Sequence, residues 1–369
     1  MRIGWVVTGG FDRSGRDRVV PALLWTVERL AARHDVVVFV LRHYQQPSTY
    51  SLRGATIVDV GRTDGLPWFR LARQFRKLSK AVEAHGPFDV LHGCWGVPGG
   101  VLAAAVGRWR HVPSVATFDS GELESLPDID YGLQRSMRTR APIRTAAKWA
   151  DRLLVCTEYM AARARARGMA AHVLPFGIDT AMFSPPPVRP EGPPWRLLQV
   201  ASLNLVKDQR MLLAALQRVV REEPDTHLDL VGEDTLGGLL PAVARGLGLD
   251  AHVTFHGFQR TDCLPAFYQR AHVYVQSSRH EAAGVSVLEA SAAGVPTVGT
   301  RVGYVADWAR DAAVAVPMQD PDALATAILA MLRDPDRRAR VASEARRRAV
   351  AHDADWTAAA LTQLYRTLA

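Results

Sequence analysis

Cysteine is scarce. The 369 residues contain three, Cys94, Cys156 and Cys263, with no CxxC pair and no His/Cys cluster at zinc spacing, so neither a disulfide framework nor a structural zinc organises the fold, and a reducing compartment is expected. Long apolar runs are missing as well. The longest, such as Val97 to Val106, are broken by proline and glycine and fall short of the roughly 20 residues a spanning helix requires. Ile3 to Val7 is apolar but short, and Asp12, Arg13, Arg16 and Asp17 follow closely, so it reads as a first strand and not as a secretory signal. Motifs that read nucleic acid are also lacking. The formal charge is +8, yet the cations are scattered along helices without interleaved aromatics, and no nucleic-acid partner is expected.

What is present is a globular composition, 48% hydrophobic and 22% charged, in a chain long enough for two cores. The first half alternates β-rich runs (Arg2 to Val7, Asp35 to Leu41, Phe88 to Leu91, Ser114 to Thr117, Asp151 to Cys156, His172 to Leu174) with helical patterns such as Pro21 to Arg33. That alternation predicts a parallel sheet covered by helices. Residues 185–194 then read PPPVRPEGPP, six prolines in ten, which behaves as a semi-rigid spacer. Beyond it the alternation restarts. The expected division is an N-terminal domain over 1–184, a linker over 185–194, a second α/β domain over 195–351, and a C-terminal helix over 352–369 that can lie on either domain. Two such domains enclose a cleft, and ligands of open α/β sheets bind at the carboxyl ends of strands.

The post-strand loops carry the chemistry. From His272 the chain reads HVYVQSSRHEAAGVSVLEASAAGVPTVGTRVGYVAD, a strand, loop, helix, loop and strand. Gly284 permits close backbone approach where the helix begins. The first-turn amides of Gly284, Val285 and Ser286, with the positive end of the helix dipole, form an anion site suited to a diphosphate. Glu281 lies in the loop and Glu289 just over one turn into the helix.

Two glutamates with seven residues between them, in the context EAAGVSVLEA followed by AGVPTV, resemble the signature of the retaining glycosyltransferases of family 4. The likeness extends to VLPFGIDTAMF over Val173 to Phe183, to FDVLH over Phe88 to His92, and to the strand and loop that carry Lys207, in the family's order along nearly the whole chain. The resemblance implies a GT-B architecture: an α/β fold of two Rossmann-like domains whose parallel sheets face each other across a cleft, the first on the acceptor side and the second binding the nucleotide sugar. It implies transfer of a sugar from a nucleoside-diphosphate sugar to an acceptor hydroxyl with retention of anomeric configuration. Glu281 would contact the sugar hydroxyls, Glu289 the ribose, and Lys207 the leaving diphosphate. No cofactor beyond the donor substrate and no obligatory metal are implied. Asp128-Ile129-Asp130 and Asp353-Ala354-Asp355 match the metal-binding DxD pattern only superficially, because neither follows the strand that pattern requires.

Further positions follow from the same resemblance. The glycine loop Thr8 to Arg18, with Gly10 and Gly15, is similar to the loop that reaches diphosphate and acceptor; glycines there also serve a tight turn. Gly257 and Phe258 lie in VTFHGFQ, Val253 to Gln259, which matches the family strand whose following loop meets the base. Three positions depart from the family pattern: Ser202 stands where an arginine is usual, with Arg279 and Arg301 nearby; Asp119 stands near a usual histidine; and Asp307 ends a substituted GG…E turn. Asp119 and Glu122 either orient substrate hydroxyls or cap the following turn, and His92 either lines an acceptor pocket or is satisfied at the core edge. Two other readings stand beside transfer, a sugar-nucleotide epimerase and a non-catalytic sugar-nucleotide binder. The acceptor (glycan, lipid carrier or small molecule), the base and the sugar are left open. The basic run Arg135 to Lys148 allows a weak contact with an anionic membrane, so the expected location is the cytoplasm, including the inner membrane surface.

Overall fold

The computed structural model describes residues 1–186, 188–189 and 191–369, which form two compact units, Met1–Gly177 with Ala354–Ala369 (unit 1) and Ile178–Asp353 (unit 2). Unit 1 runs β1 (Arg2–Val7), α1 (Pro21–Ala31), β2 (Asp35–Val40), β3 (Ser48–Leu52), β4 (Ala55–Asp59), α2 (Pro67–His85), β5 (Val90–Cys94), α3 (Val101–Arg110), β6 (Ser114–Phe118), α4 (Met137–Trp149), β7 (Arg152–Val155), α5 (Glu158–Arg165) and β8 (His172–Val173). The strands line up as β3-β4-β2-β1-β5-β6-β7-β8. Helices on both faces leave the central strands no wet side, and accordingly Val36 to Val40 and Val90 to Cys94 are buried without alternation. The sheet is parallel except at one edge. There β3 and β4 pair antiparallel across Arg53 and Gly54, both at positive φ (51° and 80°), the backbone that a two-residue hairpin turn requires.

Unit 2 runs β9 (Trp195–Val200), α6 (Gln209–Glu222), β10 (Thr226–Val231), α7 (Leu239–Gly246), β11 (Val253–Phe255), α8 (Leu264–Arg270), β12 (Val273–Gln276), α9 (Val285–Ala292), β13 (Thr297–Thr300), α10 (Gly303–Asp307), β14 (Val314–Val316), α11 (Pro321–Arg333) and α12 (Pro335–Ala351). Its sheet, β11-β10-β9-β12-β13-β14, is parallel throughout. Helix α6 shows how the core forms. Asp208 caps it by accepting from Met211 N, and Leu212, Ala215, Leu216 and Val219 recur at helical spacing, all buried in one cluster with Leu324 and Ile328 of α11. Burying each such leucine contributes about 1.5–3 kcal/mol.

Helix α13 (Ala354–Arg366) belongs to unit 1. Its Thr357 hydroxyl donates to Pro175 O at 2.8 Å and accepts from Gly177 N at 2.9 Å, and Trp5 Nε1 donates to Tyr365 Oη at 3.2 Å. The unit boundary falls at Gly177/Ile178, ahead of the Ser184 limit expected from the sequence. Of the expected linker, Pro187 and Pro190 lie outside the described residues. Arg189, between them, donates to Ala293 O at 2.7 Å and to Ala271 O, so it is fastened to unit 2.

The strand orders locate the candidate site. In unit 2, β9 has β10 on one side and β12 on the other, so successive connections leave it in opposite directions. A crevice opens at the carboxyl ends of β9 and β12, the position where ligands bind in such sheets.

Candidate active site

Two loops leave that crevice. The first follows β9 and carries Ser202 and Lys207; the second follows β12 and carries Ser277 to Gly284. The structure stitches them together. Lys207 N donates to Asn204 Oδ1 at 3.0 Å, and Gln209 Nε2 donates to Ser202 O at 3.1 Å, which closes the first loop on itself. Ser277 Oγ then donates to Lys207 O at 2.7 Å, Gln199 Nε2 donates to Ser277 Oγ at 3.0 Å, and Arg279 N donates to Val206 O at 2.8 Å. A long flexible side chain is thereby carried on a fixed backbone.

Lys207 Nζ lies 2.5 Å from Glu281 Oε1, and Ser278 Oγ donates to the same oxygen at 2.6 Å. The two charged side chains are only 23% and 12% exposed, so solvent screens this pair far less than a surface ion pair. Seventy-four positions separate the partners, and only the crossover from β9 to β12 makes them neighbours.

Gly284 opens α9 at φ 85°. A Cβ there would stand 2.6 Å from Gln276 Oε1, the tip of a side chain that would have to shift, so glycine is favoured first by the left-handed backbone and second by this contact. The first-turn amides of a helix have no intrahelical acceptor, which leaves those of Val285 and Ser286 facing the start of α9. The Ser286 hydroxyl is not part of that set: it donates to Val200 O at 2.8 Å and ties α9 to the end of β9.

Glu289 is buried and accepts from Tyr268 Oη at 2.6 Å. Burial pushes its carboxyl up to about 7, against the opposing effect of the Tyr268 hydrogen bond. Tyr268 packs edge-on against Phe183. Its partnership with Glu289 has no signature in the sequence, since the two belong to different helices. Ser278 and Gln199 were equally illegible, being ordinary residues of a loop and a strand.

The remaining positions of unit 2 are less engaged. Ser202 contributes its carbonyl to Gln209, as above. Arg279 is half-buried within electrostatic reach of Asp208, whereas Arg301 is exposed. Gly257 has φ 65° with open space where a Cβ would stand, and its carbonyl accepts from Gly232 N at 2.9 Å. Phe258 beside it is exposed.

Asp119, Gly10 and Gly15 belong to unit 1. Asp119 follows β6, with one carboxylate oxygen buried and unpartnered. Burial, then the neighbouring Glu122, pushes its carboxyl well above the usual range. Glu122 accepts from Gly96 N and Ser120 N, both at 2.8 Å, and so serves as a turn cap. Gly10 has φ 86°, and a Cβ there would come 2.7 Å from Val20 Cγ2; Gly15 has φ 63°. Their loop is clasped by Asp12, which accepts from Tyr44 Oη at 2.9 Å, Arg18 at 2.8 Å and Ser14 N at 3.0 Å and faces His43 Nε2 at 3.0 Å. Burial alone would raise the Asp12 carboxyl, but these partners outweigh it and hold it well below the usual range. His92 is a core residue: buried, with Nδ1 2.5 Å from Tyr365 Oη and Nε2 2.6 Å from Thr117 Oγ1, and lowered by burial to about 3.

Among the described residues no group of three His, Cys, Asp or Glu side chains is placed to hold a metal ion, and no helix is long and apolar enough to cross a membrane.

The profile described as Glycosyltransferase Family 4 matches residues 24–182, and that described as Glycosyl transferases group 1 matches residues 184–348. A GDP-mannose-dependent alpha-(1-6)-phosphatidylinositol monomannoside mannosyltransferase of Mycolicibacterium smegmatis is 34% identical over 220 residues, 54% of this chain and 58% of the relative. The chain spans about half the length of the curated relatives it first matches. Among solved structures, sucrose-phosphate synthase from Thermosynechococcus elongatus superposes with a TM-score of 0.80 at 20% identity, covering 100% of this chain and 99% of that one. Anabaena HepE in complex with UDP-glucose gives 0.77 at 16%, covering 100% of both. These two show the fold, GT-B. With one profile or the other matching on either side of residue 183 and the paired loops of unit 2 in place, the chain belongs to the glycosyltransferases of family 4.

Proposed function

We propose that the chain transfers a hexosyl group from a nucleoside-diphosphate sugar to an acceptor hydroxyl with retention at the anomeric carbon. The observation that carries this reading is the half-buried Lys207–Glu281 pair beside the start of α9, at the strand crossover of unit 2. A cation and a set of free amides at one spot suit a diphosphate; a carboxylate within reach suits sugar hydroxyls. On donor binding Lys207 turns to the diphosphate, and Glu281, still bonded to Ser278, accepts from the sugar. Cleavage of the bond from the anomeric carbon to the phosphate oxygen leaves its electron pair on that oxygen, where Lys207 and the helix start stabilise the growing charge. The acceptor oxygen forms its bond to the anomeric carbon on the same face, and its proton passes to the departing phosphate oxygen. Glu289 is assigned to the ribose, and Gly257 and Phe258 to the base. The loop of Gly10 and Gly15, together with Asp119, is assigned to the substrates on unit 1.

The positive charge is thus assigned to Lys207 and α9, so transfer is expected to persist in excess EDTA. HepE was solved with UDP-glucose and the mycobacterial relative is named for GDP-mannose; both support a nucleotide-sugar donor and leave the base to experiment. Thermal-shift screening against uridine, guanosine, adenosine and thymidine diphosphates and their sugars tests the donor assignment. Stabilisation by at least one is expected, and stabilisation by none would sink it. Proton NMR of the product tests retention; an inverted anomeric configuration would refute that part alone.

A further inference from the structure

The amino edge of the unit 1 sheet, at the opposite ends of the strands from Asp119 and the glycine loop, holds an open pocket of about 660 Å3. The end of α4, the start of β7 and the turn after α5 enclose it. Its wall carries Arg144 and Lys148 from α4, Arg152 from β7, and Arg167 from that turn. Among the described residues none of these four pairs with a carboxylate. The one carboxylate on the wall, Asp151, accepts from Ser114 N at 2.8 Å and offsets one of the four charges. Two of the guanidinium groups are held in place by backbone carbonyls: Arg167 Nη1 donates to Arg163 O at 2.9 Å, and Arg152 Nη1 to Asp151 O at 2.8 Å. Burial, then the neighbouring Arg163 charge, lowers the Arg167 pKa, and Glu124, which pairs with Arg163 at 3.1 Å outside the wall, opposes this in part.

Solvation and helix dipoles account for only part of this. Lys148 and Arg167 sit at helix C-terminal ends, where cations are favoured. Arg144 lies mid-helix and Arg152 on a strand, so the dipole explains neither. Like charges converging on one concavity repel one another until an anion offsets them, and fixed guanidinium groups match phosphoryl oxygens two at a time. Exposed Trp149 stands in the chain between the wall residues Lys148 and Ala150, with Arg108 5.8 Å from its ring centroid, a pairing of indole and cation that also suits a lipid interface.

We propose that this pocket is a second anion site, separate from the candidate active site, that binds a phosphoryl group carried by a soluble metabolite or by a phospholipid headgroup.

The test uses the full chain. Wild type, Lys207→Ala, Arg144→Glu/Lys148→Glu, and all three changes combined are titrated with inorganic pyrophosphate by calorimetry. The same proteins are sedimented with phosphatidylcholine vesicles with and without phosphatidylglycerol. Arg138→Glu/Arg165→Glu serves as a charge-matched control outside the pocket wall, and circular dichroism confirms folding; all four reversed positions are exposed. If the phosphoryl group is soluble, pyrophosphate binding survives Lys207→Ala and weakens about tenfold or more when the pocket charges are reversed. If it is a headgroup, binding to the anionic vesicles is lost in the pocket variant and kept in the control. Pyrophosphate binding abolished by Lys207→Ala alone, with vesicle binding absent or equally affected by pocket and control reversals, overturns the proposal. Since the active-site reading predicts nucleotide binding that the pocket variant leaves intact, the two can fail separately.

Discussion

Lys207 and Glu281 share one hydrogen-bonded unit, so replacing either exposes what the other does alone. On the proposed function Lys207→Ala takes a point charge from the leaving diphosphate, and kcat is expected to fall by about 10²–10³, read in a transfer assay once the donor is known. Retained turnover would mean the diphosphate is neutralised elsewhere, for instance by Arg279. Glu289 supplies a pH dependence. Its folded carboxyl is raised from 4.5 to about 7, so the protonated form is favoured in the folded protein. Its contribution to stability is full below about pH 4.5 and declines as pH rises through 7, by on the order of 3 kcal/mol in all. Urea melts from about pH 5 to about pH 8 should show that decline, and Glu289→Gln should flatten it. Tyr268→Phe removes the donor that favours the charged form, so the decline should move to higher pH. An unchanged profile in Tyr268→Phe would show that the bond does not govern the titration.

At the scale of elements, the start of α9 is the sensitive point. Gly284→Ala adds a strained φ and a contact with Gln276, and should lower stability by about 1–2 kcal/mol while weakening nucleotide binding. Gly257→Ala incurs the φ strain in open space and should cost less. Equal losses in the two variants, measured by thermal melt and nucleotide titration, would remove the steric role given to Gln276. Both glycines follow strands of one sheet, and the difference between them lies in what stands behind each. The element pattern itself was readable: most β-rich runs of the first half and the helix expected from Pro21 match their expected places. The hairpin of β3 and β4 was not, because the mostly polar residues of its first strand, Ser48 to Leu52, resemble a loop until β4 provides an edge to pair against.

Across the whole molecule, the chain leaves unit 1 at Gly177 and returns to it at Ala354. The returning helix closes a buried polar set, in which Tyr365 Oη bonds both Trp5 Nε1 and His92 Nδ1. Tyr365→Phe leaves these ring nitrogens without that partner and should destabilise unit 1 by about 1–3 kcal/mol, seen as an earlier melting transition; no change would assign the set to packing alone. From sequence alone, the α/β alternation, the two-unit division and the Glu281–Glu289 motif were available, because periodicity and short-range motifs are local properties of a chain. The partners of those residues were not. That Lys207 meets Glu281, that Tyr268 meets Glu289, that His92 belongs to the core, and that four cations converge on one pocket depended on which strands became neighbours. Hydrogen bonding and burial act through distances of a few ångströms, and the order of strands in a sheet, not their order along the chain, sets those distances.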